Sequence, residues 1–393
     1  MNVNSANTMR PRRENLRELA AVFLKLGATA FGGPAAHIAM MEDEVVTRRA
    51  WITREEFLDL LSATNLIPGP NSTEMAIHIG QRRAGFSGLL VAGASFIFPA
   101  VFLVTLIAWA YVRFGTLPQV SAFLYAMKPV ILVIVLQAMW RLARSALKDR
   151  TCVAVAVVAT ACGLAGINEL LKLALAGLFV PLARNVLPSR LPPATPCLLL
   201  ATSTTAPASA ALALGAATPF GLWPLFLFFI KVGSVLFGSG YVLLAFIRAD
   251  LVEHWGWLSE SQLLDAIAVG QVTPGPVFTT ATFIGYVLGG SPGAAVATVG
   301  IFLPAFFFVA VSGPLVPRLR SSKFASAALD GVNVGSVALI AAVTWQLGSV
   351  ALCDVPTVLI ALVSACLLWR YALNSAWLVI GAGILGAACS LLR

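Results

Sequence analysis

Residues 65–74 read Asn-Leu-Ile-Pro-Gly-Pro-Asn-Ser-Thr-Glu, a polar and helix-breaking run inside an otherwise apolar chain. The run has a counterpart at residues 271–280, Gln-Val-Thr-Pro-Gly-Pro-Val-Phe-Thr-Thr. An α-helix cannot continue through two prolines around a glycine, because each proline lacks an N–H donor and its ring clashes with the preceding turn. In hydrocarbon, protein or a water-filled cavity must receive the freed backbone groups. A duplicated interruption is therefore a candidate binding site.

The composition predicts an all-α polytopic membrane protein. Of its 393 residues 59% are hydrophobic and 11% are charged, and the mean hydropathy is +0.89. A membrane-spanning helix needs about 20 apolar residues, and apolar blocks of roughly that length predict about 10–12 membrane segments. The net charge of +9 comes from short basic clusters beside apolar blocks, as in cytoplasmic loops, so we expect no nucleic-acid partner.

The chain divides into four predicted parts. Residues 1–18 form a basic tail without a signal-peptide cleavage site, which we expect to be cytoplasmic. Residues 19–187 form a first transporter repeat, residues 188–219 a linker rich in Pro, Ala and Thr, and residues 220–393 a second repeat.

Matching residues at a nearly constant spacing indicate that the two repeats are homologous. The pairs are Lys25 and Lys231, Phe31-Gly32 and Phe237-Gly238, Trp51 and Trp257, Asp59 and Asp265, Pro68-Gly69-Pro70 and Pro274-Gly275-Pro276, Pro99 and Pro304, Trp140 and Trp345, and Asp149 and Asp354. The spacing drops by one residue after the Pro-Gly-Pro motif and then persists.

The distribution of basic residues predicts that the two repeats are inverted in the membrane. In the first repeat, Arg82-Arg83 precede one span and the basic cluster at 141–150 follows the next. In the second repeat these places lack basic residues, and Arg318, Arg320 and Lys323 fall between the two spans. Inversion requires an odd number of crossings before the second repeat, supplied either by re-entrant segments or by a crossing at 197–217. Inverted repeats with broken or re-entrant helices place the substrate near the midplane.

We expect the interruptions to bind an anion, because helix N-termini present unpaired N–H groups and a partial positive charge. The polar side chains at 71–73 and 279–280 would add donors. The candidate substrate-binding residues there are Gly32, Gly33, Pro34, Asn65, Pro68, Gly69, Pro70, Asn71, Ser72, Thr73, Gly238, Ser239, Gly240, Gln271, Pro274, Gly275, Pro276, Thr279 and Thr280. The alternative is that the breaks only let helices cross closely or hinge.

Lys25 and Lys231 complete the candidate anion site. A lysine at the centre of a membrane helix costs about 2.5 to 3.5 kcal/mol and is usually functional when it faces inward. The alternative is that both side chains snorkel to the membrane interface.

Glu74, His37 and His78 are candidates for proton coupling. They have no counterparts in the second repeat, so we expect an asymmetric function. Burial favours the protonated form of a glutamate, and histidine titrates near neutrality. The alternatives are a helix-capping glutamate and hydrogen-bonded core histidines.

The sequence predicts neither an enzyme nor a bound cofactor or metal. It contains no HExxH, GxSxG or Walker A motif. The six cysteines lack CxxC spacing and histidine neighbours, so we expect small core residues rather than disulfides or metal ligands. Gly381-Ala-Gly383-Ile-Leu-Gly386 is better explained by helix packing than by dinucleotide binding. The remaining enzymatic hypothesis uses Glu74 and His78 as acid and base on a lipid-linked substrate.

Together the motifs resemble the two-domain chromate ion transporter family. They are Phe31-Gly32-Gly33-Pro34 followed by His37, Pro68-Gly69-Pro70-Asn71-Ser72-Thr73-Glu74, Ile79-Gly80 with Arg82-Arg83-Ala84-Gly85, and Lys231-Val232-Gly233-Ser234-Val235-Leu236-Phe237-Gly238-Ser239-Gly240-Tyr241. The resemblance points to Gly32-Gly33-Pro34 and Pro68-Gly69-Pro70 as site motifs. In the second repeat, Ser239 and Gly240 replace Gly33 and Pro34, so equivalent roles do not follow there.

The resemblance implies a multi-pass secondary transporter of the bacterial inner membrane. It implies export of chromate driven by the proton motive force, with chromate resistance as the result. The expected partners are chromate or a related oxyanion, protons and the lipid bilayer. The sequence leaves open whether the protein forms a homodimer. Transport of sulfate or another oxyanion is the alternative within the transporter class.

Overall fold

A computed structural model describes residues 12–164, 168–186, 219–237, 240–371 and 373–391. All regular secondary structure in these ranges is helical, which confirms the predicted all-α class. Most of the basic tail and of the predicted linker, including the possible crossing at 197–217, lies outside the described residues.

In the described residues each repeat contains seven helices, and their order is the same in both. The first contains α1 (Arg12–Thr29), α2 (Pro34–Glu42, continued by a π-helical turn, Asp43–Arg48), α3 (Arg54–Thr64), α4 (Asn71–Phe114), α5 (Pro118–Ala146), α6 (Arg150–Leu164) and α7 (Glu169–Val186). The second contains α8 (Leu222–Val235), α9 (Val242–Ile247, continued by a π-helical turn, Arg248–His254), α10 (Glu260–Val272), α11 (Thr280–Ser321, preceded by a 3₁₀ turn, Val277–Thr279), α12 (Lys323–Ala351), α13 (Val355–Tyr371) and α14 (Ser375–Leu391).

The interrupted segments of the first repeat are re-entrant hairpins. Arg49, which follows α2, forms an ion pair of 2.7 Å with Glu18 near the start of α1. Arg82, in the first part of α4, forms an ion pair of 2.9 Å with Glu56 at the start of α3. Each ion pair joins the outer end of one helical limb to the outer end of the next limb. The chain therefore enters and leaves each hairpin at the same end of the molecule. We call it the Glu18 end.

The long helices α4 and α11 each contain a chain reversal. In α4 the dihedral angles leave the helical region at Ala84 (φ −142°, ψ 23°) and Gly85 (φ 62°, ψ −148°), and Gly289 and Gly290 repeat these values closely in α11. On either side of the first bend, Gly80 packs against the backbone of Gly88 so closely that a Cβ would not fit. The bend at Gly85 therefore turns the short limb (71–83) antiparallel to the long limb (86–114), and the positive φ angle favours glycine.

Both hairpins that carry a Pro-Gly-Pro motif begin with a capping box. Thr53 accepts a hydrogen bond from the backbone of Glu56, whose side chain accepts one from the backbone of Thr53. Ser259 and Gln262 form the same arrangement at the start of α10. The run Thr-Arg-Glu-Glu at 53–56 has the sequence form of such a box, and each box fixes where the helix begins.

Within the part of the chain that the structure describes, four helices are long and apolar enough to cross a membrane: 71–114, 118–146, 277–312 and 324–351. Shorter apolar helices lie at 150–163, 222–235, 355–371 and 375–391. The 10–12 apolar blocks of the sequence become 14 helices in the described ranges, because the breaks divide several blocks into two limbs.

Equivalent helices run in opposite directions, as the charge pattern predicts for inverted repeats. Tyr125, near the start of α5, hydrogen-bonds Asp354, just beyond the end of α12. Lys148, just beyond the end of α5, donates to Asp330 near the start of α12 over 2.7 Å. The equivalent helices α5 and α12 are therefore antiparallel. We call the end of the molecule that carries Tyr125 and Asp354 the Asp354 end.

The first repeat finishes and the second begins at opposite ends of the molecule. Arg184 in α7 pairs with Asp149 over 2.8 Å, which places it at the Glu18 end. The ring of Phe220, just before α8, packs on Trp257 at 5.3 Å and lies beside Gly289, where the long limb of α11 begins. This is the Asp354 end, so α7 finishes and α8 begins at opposite ends of the molecule.

Each repeat packs its last two helices against the other repeat. Helix α5 packs against α13 and α14, and α12 packs against α6 and α7. The glycines of the 381–386 motif support this contact, since Gly383 lies against the ring of Phe123 and Gly386 against the backbone of Ala122. The helix-packing interpretation of the motif is confirmed for these two glycines, in the manner of small residues between membrane helices.

The prediction that the cysteines are core residues holds only in part. Cys152 is buried, whereas Cys366 and Cys389 are exposed on α13 and α14, and Cys353 is exposed in the connection between α12 and α13. Cys197 lies outside the described residues. The other five cysteines are free, and the described ranges contain no group of three His, Cys, Asp or Glu side chains that could hold a metal.

We expect Gly386→Val to destabilise the folded protein, because a Cβ at this position would collide with the carbonyl of Ala122 and with Ala126. Overpacking of this kind costs about 1–3 kcal/mol. Gly381→Val is the matched control, since open space surrounds Gly381 in the same helix. Thermal unfolding in detergent should show a lower midpoint for the first variant only, and equal midpoints would contradict the packing of α14 on α5.

We expect Glu44→Gln to destabilise the hairpin formed by α1 and α2 at neutral pH. The destabilisation should disappear in acid. Glu44 accepts a hydrogen bond of 2.8 Å from Arg49, which holds the pKa of its carboxyl below the ordinary value. A lowered pKa in the folded state gives a stabilisation that is present at neutral pH and is lost as the pH falls through the lowered value. The difference in unfolding midpoint from the native protein should therefore shrink below roughly pH 4.

Glu55→Gln is the control for this measurement, since Glu55 is exposed on the adjacent helix α3. It should leave the midpoint unchanged at every pH. A destabilisation by Glu44→Gln that stays constant with pH would show that the ion pair does not stabilise the hairpin.

Candidate functional site

The interruptions of the two repeats are joined by crossed backbone hydrogen bonds. The amide of Gly69, in the first Pro-Gly-Pro motif, donates to the carbonyl of Leu236 at the end of α8, over 2.8 Å. The amide of Gly275, in the second motif, donates to the carbonyl of Ala30 at the end of α1, over 3.0 Å. Each Pro-Gly-Pro tip therefore caps the first helix of the other repeat and satisfies a carbonyl that the break leaves open.

Each repeat has two interruptions, one after its first helix and one at its Pro-Gly-Pro motif. All four line one small cavity between the repeats. Its volume is about 100 Å³, which is room for a small ion. The lining residues are Pro34, Gly69, Pro70, Asn71, Ser72, Gly240, Tyr241, Pro276, Val277 and Phe278.

The cavity receives the starts of four helical segments. Pro34 begins α2, Asn71 begins α4, Tyr241 caps α9, and Val277 begins the 3₁₀ turn that leads into α11. The first turn of a helix has N–H groups without partners inside the helix and carries a partial positive charge. Four such starts around one cavity favour an anion there.

The glycines of both motifs hold the tips close to the long helices. Gly69 has φ 144° and Gly275 has φ 88°, conformations that residues with a side chain rarely adopt. A Cβ on Gly275 would press on Ala100 at 2.9 Å, and one on Gly69 would lie 3.5 Å from Ala305. Ala100 and Ala305 are equivalent in the two repeats, so both tips meet the opposing long helix at the same level.

The structure brings only part of the predicted set to the cavity. The predicted residues that line it are Pro34, Gly69, Pro70, Asn71, Ser72, Gly240 and Pro276. Those that lie in or beside the interruptions without lining it are Gly32, Gly33, Asn65, Pro68, Thr73, Gln271, Pro274, Gly275, Thr279 and Thr280. Gly238 and Ser239 lie outside the described residues. The sequence did not predict Tyr241, Val277 and Phe278 as lining residues, although they follow the interruptions directly. Val277 and Phe278 have apolar side chains that give no signal of an anion site.

The threonines of the second repeat do not offer donors to the cavity. The hydroxyl of Thr279 donates to the carbonyl of Pro276 over 2.9 Å, and that of Thr280 donates to Val277 over 2.8 Å. These bonds cap the local backbone, so the expected contribution of both hydroxyls to an anion is not seen.

Lys25 and Lys231 lie in ion pairs away from the cavity. Lys25 pairs with Glu44 over 3.5 Å, and Lys231 pairs with Asp250. The first pair joins α1 to the π-helical turn after α2, and the second joins α8 to the π-helical turn after α9, at equivalent positions of the two repeats. The structure therefore does not bring the two lysines to the cavity as predicted, because the second limb of each hairpin supplies a carboxylate for them.

Glu74 lies directly behind the tip of the first Pro-Gly-Pro motif. A Cβ on Gly69 would collide with Oε1 of Glu74, and the Glu74 side chain is fully buried. Neither carboxyl oxygen has a hydrogen-bond partner among the residues that the structure describes. The helix-capping alternative for Glu74 is therefore wrong, since a capping carboxylate would accept a backbone N–H.

The two predicted histidines have different surroundings. His37 is buried, with Nε2 3.1 Å from the carbonyl of Ala30 and its ring edge-on to Phe96 at 5.7 Å. This is the hydrogen-bonded core histidine of the alternative interpretation. His78, one turn after Glu74, is buried with no partner for Nε2 in the described part of the chain.

The sequence did not predict a buried charge cluster that lies between the repeats. Asp265 of α10 accepts a hydrogen bond of 2.9 Å from Tyr111 and lies 3.9 Å from the ammonium of Lys128 on α5. Lys128 also donates to Ser261 over 2.6 Å. The matching of Asp59 with Asp265 marked the position but not its burial, since Asp59 is exposed.

Comparison with known proteins assigns the chain to a family. The family model "Chromate transporter" matches residues 17–181 and again residues 223–387, once for each repeat. A chromate transport protein of Cupriavidus metallidurans is 31% identical over 94% of this chain and 92% of its own length. One of Pseudomonas aeruginosa is 33% identical over 94% and 91%, and a probable chromate transport protein of Synechococcus elongatus is 30% identical over 91% and 90%.

No solved structure matches the chain. The double match of the family model, the internal repeat and the apolar helices agree with one another. The chain is a multi-pass membrane protein and belongs to the chromate transporter family.

Proposed function

We propose that the protein exports chromate across the bacterial inner membrane by alternating access of its two repeats, driven by the proton motive force, and so confers chromate resistance. The observation that carries this proposal is the cavity at which helix starts of both repeats meet. The relatives named chromate transport proteins supply the identity of the ion.

The chemistry of the cavity suits an ion that must bind and then leave. Among the described residues that line it, Tyr241 alone has an ionisable side chain. Backbone N–H groups, with the side chains of Asn71 and Ser72, would donate to the ion oxygens in charge-assisted hydrogen bonds. Because no fixed cation traps the ion, binding stays weak enough for release, as transport requires.

Sulfate or another oxyanion is the second candidate substrate. Chromate and sulfate are both tetrahedral dianions, and hydrogen-bond donors around a cavity of about 100 Å³ do not separate them by shape. An intramembrane enzyme that uses Glu74 and His78 is the candidate from another class, favoured only by the burial of both side chains.

The charge distribution supports an orientation with the Glu18 end in the cytoplasm. Basic residues that lie at this end are Arg48, Arg49, Arg54, Arg82, Arg83, Lys148, Arg150 and Arg184. Lys and Arg accumulate in cytoplasmic loops. The N-terminal tail would then be cytoplasmic, and transport from the Glu18 end to the Asp354 end would be export.

Glu74 is the best placed of the proposed proton carriers. An ionised carboxylate that is buried without a cation or a donor is very costly. Glu74 is therefore expected to be neutral while the first Pro-Gly-Pro tip covers it. Opening the tip to water would remove this cost and release the proton. Such an event would link the state of the Pro-Gly-Pro tip to the proton gradient, with His78 one turn away as a second group.

The proposal is tested with everted membrane vesicles and labelled chromate. We expect accumulation of chromate that depends on an imposed proton gradient, because everted vesicles turn export into uptake. Abolition of uptake by a protonophore, with vesicles that lack the protein as control, would support proton coupling. Stronger uptake of labelled sulfate than of chromate would favour the second candidate, and uptake of neither ion would contradict the transport proposal.

We expect Gly69→Ala to reduce chromate uptake at least tenfold while the protein stays in the membrane. The new methyl group would strain the backbone at φ 144° and collide with the Glu74 carboxyl behind the cavity. Gly381→Ala is the control, since a methyl group there meets open space. Full activity of the Gly69 variant at equal protein level would show that the tip does not form the binding site.

A further inference from the structure

A second polar cavity lies next to the central one. Its volume is about 170 Å³, and its lining residues are Thr64, Asn65, Ile67, Asn71, Leu142, Ser145 and Asn333. Asn71 lines both cavities. At this junction the Nδ2 group of Asn71 donates to Oδ1 of Asn65 over 2.8 Å, so a pair of neutral amides stands between the two spaces.

The second cavity lies on the Glu18 side of the central cavity. Ser145 belongs to the last turn of α5, and Asn333 to the first turns of α12. These two segments are fastened to each other at the Glu18 end by the ion pair between Lys148 and Asp330. The cavity therefore occupies the space between the binding cavity and the proposed cytoplasmic surface.

The sequence makes this side polar and the equivalent side apolar. Asn71 and Ser145 are matched in the other repeat by Val277 and Val350. Asn333 is matched by Lys128, whose ammonium is held by Ser261 and Asp265. By contrast, the side chain of Asn333 makes no hydrogen bond within the described ranges, so its amide is free to meet a ligand in the cavity.

Arg141 supplies a cation on the same helix face as the cavity lining. It precedes Ser145 by one helical turn and Leu142 by one residue. Ser145 and Leu142 line the cavity, whereas Arg141 is exposed beside it. Its guanidinium forms no ion pair with any residue in the described ranges, although α5 ends in a region rich in carboxylates. It is also close enough to act electrostatically on Tyr241, which lines the central cavity.

We propose that the cavity lined by Asn65, Asn71, Ser145 and Asn333 is the passage by which the oxyanion reaches the binding cavity from the Glu18 end, and that Arg141 is the cation that receives it. This inference rests on the proposed transport of an oxyanion. A guanidinium offers two parallel N–H groups to two oxygens of a tetrahedral anion, and the Asn333 amide adds another donor. The binding cavity itself lacks a cation, so Arg141 offsets the charge of the dianion while it loses water.

The first test compares Arg141→Gln with Arg144→Gln in everted vesicles. Both variants remove one positive charge from α5, but the guanidinium of Arg144 is already engaged on the ring of Trp140. We expect Arg141→Gln to raise the KM for chromate about tenfold or more with little change in maximal rate, and Arg141→Lys to raise it less. Arg144→Gln should leave KM unchanged. Equal KM values for the two glutamine variants would overturn the role of Arg141.

The second test does not depend on transport. In a protein without native cysteines, Asn333→Cys should react with a negatively charged methanethiosulfonate applied from the Glu18 end. Adding Arg141→Gln should slow this reaction severalfold and leave the reaction with a neutral methanethiosulfonate unchanged, whereas adding Arg144→Gln should change neither. A thiol that does not react with either reagent, or rates that Arg141→Gln does not alter, would overturn the passage even if chromate transport itself is confirmed. The expected labelling in vesicles that do not transport chromate would instead leave the passage standing and reject the proposed function.

Discussion

The fold depends on the need to satisfy backbone groups at membrane depth where the helices stop. Each break leaves carbonyl and amide groups that lipid cannot receive. The crossed bonds from Gly69 to Leu236 and from Gly275 to Ala30 meet part of this need, and each requires both repeats. Neither repeat can therefore complete its own interruptions, and the carbonyls are paired while the amides of the restarting helices remain directed at one cavity.

Small residues allow the re-entrant hairpins to come close enough for these bonds. Gly27 of α1 lies against the backbone of Phe96, and the equivalent Gly233 of α8 lies against that of Ile301. The same close approach in both repeats places the two hairpin tips at one level. Ion pairs such as that of Lys25 with Glu44 then hold the hairpin limbs together outside the cavity.

The symmetry of the backbone is broken by its side chains. At the Glu18 end Asp330 pairs with Lys148 and Arg184, both at 2.7–2.8 Å. At the opposite end the equivalent position holds Tyr125, which hydrogen-bonds Asp354. Ion pairs thus fasten one end of the repeat interface and a phenol fastens the other. An inverted pair of repeats with unequal ends has a physical basis for favouring one direction of access.

The sequence predicted the interruptions, the duplication and the inversion, because proline, glycine and basic residues act locally or through simple topology. It left open whether the interrupted segments turn back, since Pro68-Gly69-Pro70 shows where a helix stops and not the direction in which the chain resumes. The position of Lys25 was misjudged for a related reason. Its partner Glu44 lies on the other limb, although the duplicated acidic residue at Asp250 could have indicated the pair.

A cryo-electron microscopy map of the protein with bound chromate would show whether the two interruptions form one anion site. We expect density for one tetrahedral ion in the cavity between Asn71 and Ser72 on one side and Val277 and Phe278 on the other, with the two Pro-Gly-Pro tips in contact. Density for the ion beside Lys25 and Lys231 instead, with the central cavity empty, would contradict it.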